Sequence, residues 1–286
     1  MILVTGATGK SGQALSKRLL EKKQPVRAFV RDADKAAGLK AAGADISVGD
    51  MSDRDSIMRA LEGVQKAYLV LSNTEDQPEL EAGFADCAKA QGVKHLVKQS
   101  SMEAAAGVDK PFPLSHLKSE AHIKASGLDW TMVRPTFFTQ MLLMTARTIK
   151  ADDTIVFPMG VGKVACTDVR DVADVAAEIL TGDGHEGRSY DLTGPELLGF
   201  DQIADIFSEV LGREVTYVDQ PMDAFRAMMS RVVPDPWRVN GVCEELQALA
   251  DGCTNHTTDT IETLLGRPGR SVRTFIEEYK AVFTPN

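Results

Sequence analysis

The sequence predicts an α/β protein built on an open, doubly wound parallel sheet. Over the first 135 residues, short apolar runs rich in β-formers alternate with helix-prone segments. Those segments have the length that a crossover between parallel strands needs. A glycine-rich turn, Val4-Thr5-Gly6-Ala7-Thr8-Gly9-Lys10-Ser11-Gly12, joins the first of these strands to the first helix.

Taken in order, the expected strands are 1–5, 25–31, 45–49, 66–72, 95–101 and 130–134. After the glycine turn, Leu15, Leu19 and Leu20 recur at helical spacing and give that helix an apolar stripe. Ser52 and Asp55 have the spacing of a capping box, and Pro78 suits a first helical turn. Gly43, Gly63 and Gly92 fall where helices should stop. Beyond Pro135 the alternation loosens. Residues 137–150 are apolar and helix-prone, and a loop follows through Pro158, Gly160 and Gly162. Asp168 is the expected N-cap of a helix over 168–181, whose Val172, Val175, Ala176, Ile179 and Leu180 share one face. A strand at 188–193, a helix at 200–211 ending at Gly212 and a strand at 214–218 come next. Met222 to Leu249, with Met228, Met229 and Trp237, reads as short helices around a cavity.

Composition narrows the partners. The 286 residues carry a formal net charge of −9, which argues against a nucleic-acid-binding surface. No apolar run approaches the ~20 residues needed to cross a bilayer. The first expected strand begins at Met1, leaving no room for a leader segment. Cys87, Cys166, Cys243 and Cys253 form no C-x-x-C, and the five histidines form no H-E-x-x-H. A reduced, cytoplasmic, metal-free protein is expected, with neither nucleic acid nor membrane as partner.

The glycine turn carries the chemistry. Strand, glycine turn and helix are the context that makes such a pattern a phosphate-binding motif. Gly6 permits the tight turn, Gly9 lets the backbone approach a pyrophosphate, and Gly12 lets the helix pack closely on the sheet. The helix amides then point at the anion, with Thr8, Lys10 and Ser11 around it. At the end of the second strand, Arg31, with Lys35 one turn on, suits the 2′-phosphate of NADP(H). Asp32 is the competing signal, since a shift of register would favour NAD(H). Ligands bind outside the carboxyl ends of parallel strands, which places Asp50 and Met51 at the adenine and Leu71 and Ser72 on the pyrophosphate side. The expected division is a Rossmann-type dinucleotide-binding domain over 1–150 and a mainly substrate-binding α/β region over 151–286. The second is smaller and packs intimately on the first, with helix 168–181 returning to the sheet.

Val4-Thr5-Gly6-Ala7-Thr8-Gly9, Val30-Arg31, Val48-Gly49-Asp50, Gly92-Val93-Lys94-His95 and Ser126-Gly127-Leu128-Asp129-Trp130-Thr131 through Arg134-Pro135 resemble the NmrA-like group of atypical short-chain dehydrogenase/reductases. Asp168 to Ala173 and Gly184 to Tyr190 continue the resemblance, so it covers nearly the whole chain. Within that group the chain looks most like bacterial NADPH-dependent quinone oxidoreductases and triphenylmethane dye reductases. The resemblance implies that the nicotinamide lies near Ser100, Pro135 and Phe137, with His116 at its ribose.

The superfamily's usual tyrosine and lysine, four residues apart, fall at Phe112 and His116 when Glu120 is the anchor. The phenolate mechanism is therefore not expected, nor are alcohol dehydrogenase or epimerase activities. Hydride transfer to an electron-poor carbon remains, with positioning as the main work of the protein. Ser100 or Ser101 can hydrogen-bond a substrate oxygen, and His116 can donate a proton or hold the ribose. Met102, Phe112, Phe137, Phe138 and Met141 read as an apolar wall for a flat aromatic substrate, or equally as core. The expected function is an NADPH-dependent reductase of quinones, dyes or similar electrophilic aromatics, as a monomer or homodimer. The alternative is a non-catalytic NADP(H)-binding redox sensor.

Overall fold

The computed structural model describes residues 1–285. The chain forms two compact units. One comprises Met1–Ser101, Ser115–Arg134 and Val169–Asp191; the other comprises Met102–Leu114, Pro135–Asp168 and the chain from Leu192 onward. Each unit draws on three segments, so no single cut, at 150 or elsewhere, separates them.

The first unit holds strands β1 (Ile2–Val4), β2 (Val26–Val30), β3 (Asp45–Val48), β4 (Lys66–Leu69), β5 (His95–Gln99), β6 (Asp129–Pro135) and, numbered in chain order, β9 (Arg188–Leu192). They form one sheet in the order β3-β2-β1-β4-β5-β6-β9. From β3 to β6 every pairing is parallel, in registers such as Ile2 with Val26 and with Lys66. Its helices include α1 (Lys10–Glu21), α2 (Ala37–Ala41), α3 (Arg54–Ala60), α4 (Gln77–Ala90) and most of α6 (Pro111–Ala125). Leu3, Phe29, Ile57, Phe84, Leu96, Ile123 and Met132 belong to one buried core.

Helix α8 (Val169–Thr181) lies along α1. Its stripe of Val172, Val175, Ala176, Ile179 and Leu180 is at most 1% exposed, as are Leu15 and Leu19 of α1; Leu20 is half-buried. Burying aliphatic side chains of this size contributes about 1.5–3 kcal/mol each. The ion pairs Arg18–Asp174 and Lys22–Glu178, both at 2.9 Å, close the rim and contribute little beside that. Gly43, Gly63 and Gly92 all have positive φ just past their helices, as expected of helix stops.

The second unit contains α5 (Met102–Ala105), α7 (Ala146–Asp152), β7 (Thr154–Phe157), β8 (Lys163–Val164), β10 (Leu198–Gly199), α9 (Phe200–Leu211), β11 (Thr216–Asp219) and α10 (Met222–Met229). It ends with α11 (Pro236–Ala250), α12 (Thr260–Leu265), α13 (Val272–Glu278) and α14 (Lys280–Phe283). β7 pairs with β11 in parallel, and β8 with β10 antiparallel. The core is aromatic: Phe157 stacks on Phe200 at 5.1 Å, and Phe137 meets both edge-on at 6.0 Å.

Three local expectations are corrected. Helix α3 is capped by Asp53, whose carboxylate accepts from the Asp55 amide at 3.0 Å; Ser52 is engaged by Asp50 instead. The stretch 137–150 is no single helix. Phe137 and Thr139 bond the backbone of Thr167, which holds that corner extended, and a 3₁₀ segment (Thr139–Thr145) precedes α7. Between 222 and 249 the structure has α10 and the long α11, started by Asp235 accepting from the Trp237 amide and by Pro236 in the first turn. Among the described residues no helix is long and apolar enough to cross a membrane.

Candidate functional site

Strand order reverses between β1 and β4, the switch point at which an open parallel sheet leaves a crevice for a ligand. The glycine turn sits there. Thr5 ties the two strand ends together: its hydroxyl donates to the Val70 carbonyl at 2.9 Å and accepts from the Val70 amide at 2.8 Å. Gly6 has φ +55°, and a side chain there would meet Val70 at 2.8 Å. A Cβ on Gly12 would lie 2.4 Å from the Gly6 carbonyl oxygen, so only glycine lets α1 start so close to the turn. Thr8, Gly9 and Lys10 are exposed, Ser11 is half-buried, and the N-terminus of α1 has no side-chain cap. No side chain therefore caps the first amides of α1. The chemistry of that cradle suits a phosphate anion.

β2 ends at Val30, leaving Arg31 as the first residue beyond the sheet, exposed like Lys35. Asp32 is turned to local use, its carboxylate accepting from the Asp34 amide at 2.9 Å. Beyond β3, Asp50 accepts from the amide and hydroxyl of Ser52 at 2.9 and 2.7 Å. Those bonds hold its carboxyl below the ordinary range, helped by the positive charge of Arg31. Met51 beside it is half-buried; past β4, Leu71 is half-buried and Ser72 exposed. Thus Gly6 to Gly12, Arg31, Lys35, Asp50, Met51, Leu71 and Ser72 all follow the carboxyl ends of successive strands.

At the end of β5, Ser100 is pinned by its amide to the Val133 carbonyl at 2.7 Å. Its side chain is buried beside Glu120 and favours the charged form of that carboxyl. Ser101 is also buried. Glu120 of α6 holds Arg134 of β6 in two bonds of 2.9 and 2.6 Å, and accepts from Lys124 at 2.8 Å. Burial works against its charge, and these donors overcome it, holding the carboxyl down at about 2.

His116, 9% exposed, meets Lys98 and Gln77 through Nδ1 at 3.0 and 3.3 Å. Burial, then the Lys98 charge, push its imidazole well below the ordinary range, so it is neutral near pH 7. Lys98, Glu81 and Gln77, all fully buried, escaped the sequence reading. The one signal was a lysine following Leu96 and Val97 in a strand expected to be covered on both faces.

In the second unit, Met102 and Phe112 are buried, and the Phe112 ring packs on Trp237 at 5.3 Å and against Gly241. Pro135 is buried, the Phe137 ring belongs to the aromatic core, and Phe138 and Met141 are half-buried. A buried polar group was also missed. Glu103 accepts from Thr136 at 2.8 Å, and Thr136 lies 3.1 Å from the Thr254 hydroxyl. Burial and the Glu103 charge push Glu245 up to about 8.

Residues 1–280 match the NmrA-like family model. The chain is 36% identical over 287 residues to an NAD(P)H azoreductase of Xenophilus azovorans, covering 99% of each. Its fold matches the NADPH-dependent quinone oxidoreductase of Escherichia coli in complex with NADPH, with a TM-score of 0.88 and 26% identity over 98% of this chain and 100% of that one. The Citrobacter triphenylmethane reductase complexed with NADP(H) matches with a TM-score of 0.83 and 27% identity over 96% and 98% of the two chains.

Proposed function

Since the chain belongs to the NmrA-like family, we propose that it passes hydride from NADPH to an electron-poor aromatic acceptor such as a quinone, an azo compound or a cationic dye. It is an NAD(P)H-dependent oxidoreductase and it binds NADP(H). The observation that carries the proposal is the glycine cradle at the switch point with Arg31 at the neighbouring strand end. In this reading Gly9 lets the backbone approach the pyrophosphate, the amides of Lys10 to Gly12 hold it with Thr8, Lys10 and Ser11 around it, and Arg31 and Lys35 bind the 2′-phosphate. Asp50 and Met51 meet the adenine, Leu71 and Ser72 flank the pyrophosphate, and Ser100 borders the nicotinamide. Bound NADPH supplies the hydride and both electrons.

In this reading no phenolate takes part, and what surrounds the tyrosines supports that. Tyr68 donates to Gln99 inside the sheet at 2.8 Å, with its phenol pushed far up by burial. Tyr217 donates to the Phe157 carbonyl, Tyr190 pairs with His185, and Tyr279 stacks on Phe275. With Glu120 as the anchor, the places of the usual pair fall at Phe112 and His116, and neither is a phenol or an ammonium. A quinone or dye needs little acid help to accept hydride, so orientation is the main contribution of the protein. In this reading Ser100, Ser101 and His116 orient polar substrate or ribose atoms.

Steady-state oxidation of NADPH and NADH against quinones, triarylmethane dyes and azo dyes tests this. The expected result is turnover with at least one class and a preference for NADPH. Tight NADPH binding with no oxidation by any class would replace the reductase with a dinucleotide sensor.

A further inference from the structure

Behind His116 lies a charged network that no part of the cofactor cradle requires. Lys98 of β5 and Glu81 of α4 have fully buried side chains and pair at 2.9 Å. The Lys98 ammonium also donates to the Gln99 carbonyl and to His116 Nδ1, each at 3.0 Å. Gln77 adds its amide nitrogen 3.3 Å from the same Nδ1 and 3.3 Å from Glu81 Oε1. An ammonium has three hydrogens and no lone pair, so the ring nitrogen facing it is bare. A neutral imidazole with a bare Nδ1 carries its proton on Nε2. Glu120, on the same helix as His116, is the carboxylate that favours the charged ring; it is engaged by Arg134 and Lys124, and Lys98 and burial outweigh it.

Packing does not explain the network. A fully buried ion pair is commonly no more stable than apolar residues of the same volume. Lys98 follows Leu96 and Val97 in a strand whose buried positions would accept another aliphatic side chain. Gln77 even leaves its carbonyl oxygen without a partner. What the network does determine is which nitrogen of His116 can donate.

We propose that Lys98, anchored by Glu81, is a positioning residue that holds His116 as the neutral Nε2–H tautomer, so that the ring serves as a standing hydrogen-bond donor to a ribose hydroxyl oxygen of the dinucleotide. The recipient oxygen rests on the NADPH-dependent reading above; the tautomer does not. In this arrangement His116 stores no proton for the reduced acceptor.

The test is long-range ¹H–¹⁵N correlation on histidine-labelled protein without cofactor, from pH 5.5 to 8.5, with His116 assigned by its loss in His116→Gln. The expected wild-type spectrum shows a protonated Nε2 and a bare Nδ1 across the whole range. Lys98→Met, or Glu81→Gln should that variant fail to fold, is expected to let His116 titrate nearer its ordinary value of about 6.5. A proton on Nδ1, or titration of the wild-type ring between pH 6 and 7, would overturn the tautomer, and needs no folded variant to be seen. Equilibrium binding tests the recipient. His116→Ala should weaken NADPH about tenfold, the usual scale for one lost hydrogen bond, while His116→Gln, which keeps an N–H donor, should restore most of it. Unchanged affinity in His116→Ala would remove the ribose role. Because the spectra require no turnover, a protein that reduces no acceptor can still show the tautomer, and an active one can still lack it.

Discussion

Arg31 places a guanidinium just past the end of β2, exposed and beside Asp50. Recognition of a 2′-phosphate there is worth about 1.5–3 kcal/mol if it resembles other hydrogen bonds to charged groups. Arg31→Ala should therefore raise the NADPH dissociation constant roughly 10- to 100-fold and leave that of NADH nearly unchanged. Titration of both dinucleotides by fluorescence checks it; equal losses for the two would remove the 2′-phosphate contact. Arg31 was legible in the sequence because it ends a strand that follows a glycine turn. Whether Asp32 competes with it was not, since that depends on one residue of register and on the turn in which Asp32 receives the Asp34 amide. The Lys98 network was hidden for another reason. It joins α4, β5 and α6, and no local pattern links residues 77, 81, 98 and 116.

Helix α6 is fastened to β6 by Glu120, whose carboxylate binds Arg134 in two places with 1% of its side chain exposed. Removing one partner of a buried pair strands the other, so Glu120→Gln should cost roughly 3–5 kcal/mol. The carboxyl titrates at about 2 in the fold against an ordinary 4.5. A lowered folded-state value stabilises above the unfolded value, so this contribution is complete above pH 4.5 and lost as pH falls toward 2. Thermal melts from pH 7 to 2 should show the gap between wild type and variant closing at the acid end; a gap constant with pH would mean the pair is held by packing alone. Elements with long periodic stripes, α1, α8 and α9, were legible because burial of one face dictates both their type and their extent. The corner at 137–138 was not: its composition favours helix, and the backbone bonds to Thr167, distant in the chain, hold it extended.

The strand order places the crevice between β1 and β4, with the glycine turn at its opening and Thr5 binding the two strand ends. Alternation of strand and helix over the first 135 residues made that sheet legible. The short ribbons β7–β11 and β8–β10 were harder to see, because two- to four-residue strands paired across distant segments leave little periodicity. Nor does the chain announce that β9 belongs with the first unit, since contacts rather than a linker define the division. The most direct test of the molecule as a hydride-transferring reductase is a single turnover with NADPH deuterated at the nicotinamide C4, analysed by mass spectrometry of the reduced acceptor. Deuterium from one face of the nicotinamide should appear in the product, or in the case of a quinone or azo acceptor be lost to solvent with a primary isotope effect on NADPH oxidation. Full retention of unoxidised, tightly bound NADPH in the presence of every acceptor class would contradict it.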